Sequence, residues 1–113
     1  MLTIESLRLF GANVEEGLGR CMQNEGFYLR MVALACDDAN FDRLLDAAER
    51  DDLAAAFEAA HALKGVTANL ALRPICEPVS ALTEKLRAGT PGDYRPDARS
   101  ILALRDELKA LDK

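Results

Sequence analysis

The chain contains one histidine, His61, and the residues around it are of types that suit group-transfer chemistry. Residues 60–70 read AHALKGVTANL. On a helix, residues three and four positions apart share a face, so Lys64 and Gly65 would lie one turn from His61 and Ala68 one turn further. An exposed imidazole offers a nucleophilic ring nitrogen near neutral pH, and an ammonium group suits phosphoryl oxygens. This strip therefore indicates phosphoryl chemistry on one helix face.

Three further positions belong to the same hypothesis. Gly65 lies inside the predicted helix, where glycine is worse than alanine by about 1 kcal/mol, so a close approach by another backbone would explain it. Glu58 precedes the histidine by three residues and either orients the imidazole, favouring its protonated form, or is a solvated side chain. Asn69 either helps to hold the site or ends the helix.

The elements that must position this strip are predicted to be helices. Half of the 113 residues are hydrophobic, only 5% are aromatic and there is no Trp. Such a composition favours closely packed helices over a β-sandwich. We predict an all-α single domain over residues 1–113, an antiparallel up-and-down four-helix bundle with its core at about 26–112. Short additional N-terminal helices would cover one end of the bundle.

Apolar periodicity and caps give the predicted boundaries. The predicted helices cover residues 3–10, about 13–22, about 27–50, about 52–72, about 75–88 and about 95–111. The run 37–40 is a candidate for a bend or a break in the third of these. The predicted inner positions are Phe27, Met31, Leu34, Phe41, Leu45 and Ala48 in that helix, and Leu53, Phe57, Ala60, Leu63, Thr67 and Leu70 in the histidine helix. We expect Arg73 and Pro74 to end the histidine helix, and Pro78 to be tolerated only in a first turn.

Composition also excludes several classes of function. A net charge of −5 argues against nucleic acid and against an anionic membrane surface. No apolar run is long enough to span a bilayer, and no signal peptide is visible. The three cysteines, Cys21, Cys36 and Cys76, are far apart and odd in number, which predicts free thiols in a reducing cytoplasm and no zinc site. There is no glycine-rich phosphate loop for ATP.

The pattern of His, any residue, an apolar residue, Lys or Arg, then Gly resembles the signature of histidine-containing phosphotransfer (HPt) domains. Here it is His61, Ala62, Leu63, Lys64 and Gly65. The resemblance extends over about residues 17–87, and it includes Ala59 and Ala60, Ala68 to Leu70, Phe27 and Tyr28, and Asp51 and Asp52. One departure is visible: the family often has glycine where this chain has Ala71, which bears on how the helix ends.

The resemblance implies a phosphorelay intermediate. His61 would accept a phosphoryl group on Nε2, Lys64 would stabilise its charge and Gly65 would let the partner approach. Ala68, Asn69 and Glu58 would be accessory positions, and Leu72, Ala62 and Phe27 are candidates for an apolar docking rim. The partners would be receiver domains of response regulators and a hybrid or separate histidine kinase. The chain would have no cofactor or metal site of its own, because the divalent metal is expected on the receiver.

Two alternatives stay open at this point. The chain could be a helical adaptor that docks receivers without phosphotransfer. It could also be the phosphoacceptor module of a kinase divided among several polypeptides. In each case it would be a phosphocarrier or a binding module and not a self-sufficient enzyme.

Overall fold

The structure is a computed structural model that describes residues 1–112. Over this part of the chain it contains seven α-helices and no strand, which confirms the all-α prediction. The helices are α1 (Ile4–Phe10), α2 (Val14–Arg20), α3 (Glu25–Cys36), α4 (Asn40–Glu49), α5 (Leu53–Asn69), α6 (Arg73–Arg87) and α7 (Arg95–Ala110). Among these residues, no helix combines the length and apolar character that crossing a bilayer requires.

Four helices pack in a closed ring. Helix α4 contacts α5 and α7, and α6 contacts the same two helices. Helix α3 packs against α7 and α2, and α1 packs against α2. The largest fully buried side chains include Phe41, Leu44, Leu63, Ile75 and Ile101, which come from all four helices of the ring. The shared core therefore holds α5 by one face and leaves its other face to solvent.

The segment 27–50 is not one helix, because the chain breaks at 37–39. This confirms the run 37–40 as the position of the expected break. Asp38 directs the new start: its side chain accepts a hydrogen bond from the Asn40 amide at 2.8 Å, and its carbonyl accepts one from Phe41 at 3.2 Å. A polar side chain that bonds to the backbone two residues further on favours a turn over a continuing helix.

The predicted inner face of this segment is confirmed at Phe41 and Ala48 in α4, which are buried, but it was wrong in α3. Phe27 and Leu34 are 40% and 60% exposed, whereas Tyr28 and Val32 are completely buried. Nine of the twelve residues of α3 are hydrophobic, so a shift of one position gives an equally regular stripe. The packing of α3 against α2 and α7 selects the face that is buried.

Helix α5 begins as predicted at Asp52, whose side chain accepts a hydrogen bond from the Ala55 amide at 3.1 Å. It ends at Asn69, before the predicted position near Leu72. Ala71 has a φ of +56°, a left-handed conformation that favours glycine. The departure from glycine at this position therefore falls where the chain reverses direction.

Two expectations about prolines were wrong as well. Pro74 lies in the first turn of α6, so it begins that helix and does not end α5. Pro78 lies inside α6, beyond its first turn. The sequence-based boundary placed the start of α6 at Ile75, two residues too late, and this error concealed that Pro78 belongs to the second turn.

The end of α5 is bonded to the N-terminal part of the chain. Carbonyls at the end of α5 and in the turn that follows it accept hydrogen bonds from the Arg20 guanidinium at Ala68, from the Tyr28 hydroxyl at Leu70 (2.8 Å) and from the Asn13 amide at Ala71 (3.0 Å). The last carbonyls of a helix lack partners further along it, so these donors satisfy groups that the helix itself leaves open. We call these six residues the α5 corner.

Gly17 in α2 makes room for the Tyr28 side chain of the α5 corner. A Cβ at this glycine would lie 2.5 Å from the Tyr28 ring and hydroxyl. The absence of a side chain is therefore what lets the phenol reach the Leu70 carbonyl. Burial raises the pKa of the Tyr28 hydroxyl to about 12, with smaller contributions from neighbouring acidic groups.

Candidate functional site

His61 lies in the middle of helix α5 and is exposed to solvent, while the opposite face of the helix packs against the core. The buried residues of α5 are Ala56, Ala59, Ala60, Leu63 and Thr67. The Thr67 hydroxyl donates a hydrogen bond to the Leu63 carbonyl at 2.7 Å, which satisfies a polar group inside the core. Of the predicted inner positions, Ala60, Leu63, Thr67 and Leu70 are buried, whereas Leu53 and Phe57 are only partly buried.

The predicted strip is present on α5. His61 and Gly65 are exposed, and Lys64 and Ala68 are half-buried. The helix is unbroken from Leu53 to Asn69, so these four residues follow one another along about 10 Å of one side. The structure thus brings together an imidazole, an ammonium group and two positions with little or no side chain.

Gly65 has no neighbour that requires glycine. A Cβ built at this position would find nothing within 4 Å, and the backbone there is ordinary helix. Neither close packing within the chain nor an unusual φ therefore explains the residue. The space above Gly65 is open, and a partner can approach the helix backbone through it.

The His61 imidazole lies against the ring of Phe57, one turn earlier on α5. The ring centroids are 5.7 Å apart and the rings are inclined by 13°, which is an offset stack. The Arg87 guanidinium of α6 lies 5.3 Å from the Phe57 centroid, within cation–π distance. Phe57 was predicted only as an inner residue, and neither contact was predicted from the sequence.

The other charged and polar candidates have few contacts. Among residues 1–112, Lys64 has no carboxylate partner, unlike Arg87, whose Nε donates to Glu84 at 3.1 Å. Glu58 is exposed and makes no hydrogen bond with His61 over the same residues. Asn69 is the last residue of α5 and lines a groove between α3 and α5. The structure therefore leaves the Lys64 ammonium free to meet an anion.

Of the three residues predicted to form an apolar docking rim, one lies in the core. Phe27 is 40% exposed and Ala62 is half-buried, but Leu72 is 1% exposed and belongs to the core. The prediction for Leu72 was wrong because this residue follows the left-handed Ala71, where the chain reverses direction. Leu34, which was predicted to be an inner residue, is instead 60% exposed on α3.

The remaining reactive groups lie elsewhere. Cys21 and Cys36 are buried and Cys76 is half-buried, and all three are free thiols. Burial raises the pKa of Cys36 to about 11. Hydrogen bonds from Arg95 lower the pKa of Asp93 to about 2. Over residues 1–112 no group of three or more His, Cys, Asp or Glu side chains is placed to hold a metal ion.

Comparison with known protein families finds that the Hpt domain model matches residues 30–113. The match covers about three quarters of the chain and includes all of α4 to α7. It begins later and ends later than the resemblance that the motif indicated. Neither a search of curated proteins nor a search of solved structures found a significant match.

Proposed function

The chain belongs to the Hpt domain family, and on that premise we propose that His61 carries a phosphoryl group between partner aspartates. Membership of this family supports a phosphotransfer role in a phosphorelay, with receiver or kinase domains as partners. The specific proposal is that His61 accepts the group from a receiver aspartate or a kinase and passes it to a response-regulator aspartate. The observation that carries it is an exposed histidine, on a packed helix, beside a glycine that nothing in the chain requires.

In the proposed step, the Nε2 lone pair of His61 attacks the phosphorus of a receiver's aspartyl phosphate. The N–P bond forms as the P–O bond to the aspartate breaks, and the carboxylate leaves with the electron pair. The imidazole keeps its proton on Nδ1 and becomes positively charged until that proton is lost to water. The same steps in reverse phosphorylate the next receiver.

The neighbours of His61 suit this step. Charge spreads over three phosphoryl oxygens in the transfer state, so positioning and electrostatics dominate the rate. The unpaired Lys64 ammonium is one turn away and suits those oxygens. Gly65 and Ala68 keep the helix surface low, so a receiver can bring its aspartate to the ring. We give Glu58 and Asn69 secondary roles in orienting the ring and holding the site.

Several finer points belong to the same proposal. The chain acts as a phosphocarrier with no cofactor of its own, and the divalent metal sits on the receiver. The ring of α4 to α7 is an antiparallel up-and-down bundle. The partners are receiver domains and a hybrid or separate histidine kinase, with neither nucleic acid nor a membrane, and the protein works in the cytoplasm.

The test is transfer from a ³²P-labelled, phosphorylated receiver, repeated over the receiver domains of the source organism. We expect acid-labile label on the wild-type chain within seconds to minutes for a cognate receiver and none on His61→Gln. Glu77→Gln is the matched control, because Glu77 is exposed on α6 and has no role in the proposed site. Label that persists on His61→Gln would refute the site.

The same experiment separates the carrier from the adaptor. Receiver binding is measured in parallel by calorimetry on wild type and His61→Gln. A carrier shows both binding and label on the wild type. Binding with no label on the wild type, for every receiver tested, would refute the proposed transfer and leave docking alone.

A further inference from the structure

The ring of Phe57 stacks on the His61 imidazole, a contact that core packing alone does not require. Phe57 is only partly buried, although its neighbours Ala56 and Ala60 are fully buried on the same helix. Its ring reaches the side of α5 that carries the exposed imidazole, one turn away. A partly buried ring can therefore act on a side chain that the core itself does not touch.

An exposed histidine on a helix has no packing to fix its ring. Among residues 1–112, the His61 side chain has no hydrogen bond, and Phe57 is its one ring contact. The nearly parallel arrangement, at 13° and 5.7 Å, limits the rotation of the imidazole and so sets the direction in which its outer nitrogen points. Transfer between two proteins depends on such alignment, since a misplacement of about 1 Å can cost about a hundredfold in rate.

The second effect of the stack is electrostatic. When the N–P bond forms, the imidazole becomes positively charged, because its lone pair is now in a bond and Nδ1 keeps its proton. The face of a phenyl ring attracts a cation, so Phe57 favours the charged ring over the neutral one. This contribution is larger in the transfer state than before it, which is the condition for accelerating a step.

Arg87 connects the stack to a second helix. Its guanidinium lies 5.3 Å from the Phe57 centroid and is held by Glu84 at 3.1 Å. Helices α5 and α6 pack against each other. The phenyl ring is thereby confined between its own helix and α6, and a confined ring can orient the imidazole better than a free one.

We propose that Phe57 is the positioning residue of the phosphoacceptor, holding the His61 imidazole by a stack that Arg87 supports from α6. The proposal rests on the proposed function, since it assigns a role within phosphotransfer at His61. Phe57 itself touches neither the receiver nor the phosphoryl group. Its effect belongs to the rate of transfer within the complex and not to the affinity of docking.

The test compares Phe57→Leu with Phe57→Tyr, which keeps the ring. With a cognate phosphorylated receiver, we expect the maximal transfer rate of Phe57→Leu to fall by about tenfold, with a half-saturating receiver concentration within about twofold of wild type. Phe57→Tyr should stay within about threefold of wild type in maximal rate. Phe10→Leu is the matched control, because Phe10 is also only partly buried against the core but lies on α1, with no histidine beside it.

A spectroscopic measurement reports on the stack without any receiver. His61 is the single histidine, so the carbon-bound imidazole protons are assigned by their uniqueness. Stacking on a phenyl ring shifts such protons upfield. We expect this shift in wild type and Phe57→Tyr and its loss in folded Phe57→Leu, with thermal unfolding confirming that each variant is folded.

The outcomes are distinguishable. If wild type transfers and folded Phe57→Leu transfers at the wild-type maximal rate, the positioning role is wrong while the phosphocarrier stands. If Phe57→Leu raises the half-saturating receiver concentration and leaves the maximal rate unchanged, Phe57 acts in receiver docking. That result would also overturn the proposal. If wild type accepts no phosphoryl group from any receiver, the proposed function fails and the positioning role fails with it.

Discussion

Gly17 and Gly65 both lie inside helices, and their surroundings are opposite. At Gly17, in α2, a Cβ would lie 2.5 Å from the Tyr28 ring, whereas at Gly65, in α5, it would meet nothing within 4 Å. The first glycine is needed by the fold, because it admits the side chain that closes the α5 corner. The second carries the usual helix penalty of about 1 kcal/mol without any return in packing. Packing inside the chain thus explains Gly17 and does not explain Gly65, for which we propose a role in the approach of a partner.

The largest expected change in stability is at Gly17. Gly17→Ala should destabilise the fold by about 1–3 kcal/mol, the usual cost of overpacking, as measured by urea unfolding. Gly19→Ala is the matched control in the same helix, because its Cβ would meet only the Gln23 side chain, at 3.9 Å. A Gly17→Ala protein as stable as wild type would remove the contrast between the two glycines.

Substitution of Gly65 should change the stability of the fold in the opposite direction. Gly65→Ala is expected to stabilise the fold by about 1 kcal/mol and to lower transfer from a phosphorylated receiver by about tenfold, or about 1.4 kcal/mol. Phosphorylation by phosphoramidate should change by less than about threefold, because this small donor does not approach the helix backbone. Full transfer activity in Gly65→Ala would contradict the role given to this residue.

The next effect concerns the hydrogen bond of the Tyr28 hydroxyl in the α5 corner. Tyr28→Phe removes the hydroxyl that donates to Leu70 at 2.8 Å, which should cost about 1 kcal/mol at pH 7. Burial raises the pKa of Tyr28 from 10.0 to about 12, so the neutral hydroxyl contributes stability that is complete below pH 10 and lost as pH rises through 12. Urea unfolding at both ends of this range should therefore show wild type losing more stability than Tyr28→Phe. An equal loss of stability in wild type and Tyr28→Phe would contradict this role of the Tyr28 hydroxyl.

The smallest expected effect concerns the turn before α3. Met22 has a φ of +58° and is 89% exposed, so glycine would relieve strain without removing a buried side chain. Left-handed backbone costs a non-glycine residue about 1–2 kcal/mol, and the extra freedom of glycine in the unfolded chain cancels part of the gain. Met22→Gly should stabilise by about 0.5–1 kcal/mol in thermal unfolding, with transfer unchanged. A destabilised variant would show that the Met22 side chain contributes more than its exposure indicates.

The sequence was sufficient for the helical class, for the histidine helix and for the order of residues along the strip. These depend on local spacing, because i, i+3 and i+4 positions share a face in any unbroken helix. It failed where packing between helices decides. The buried face of α3 was misassigned because the segment is apolar on every side, so only contact with its neighbours selects Tyr28 and Val32 over Phe27 and Leu34.

The Phe57–His61 stack was within reach of the sequence, and the arginine was not. Phe57 precedes His61 by four residues, which is the spacing of neighbours on a helix, but its apolar character suggested the core alone. Arg87 lies on α6 and comes close only through the packing of two helices. The open space at Gly65 likewise needs coordinates, because a sequence cannot show whether a missing side chain leaves a void or meets a neighbour.

The most direct test of the central claim is to locate the phosphoryl group after incubation with a phosphorylated cognate receiver, by mass spectrometry at neutral pH. Because the chain has a single histidine, one phosphohistidine peptide identifies the site without ambiguity. We predict one phosphate on the peptide containing His61, which is removed by brief acid treatment and transferred back to unphosphorylated receiver. A phosphate on any other residue, or an unmodified His61 in wild type with every receiver tested, would contradict the account.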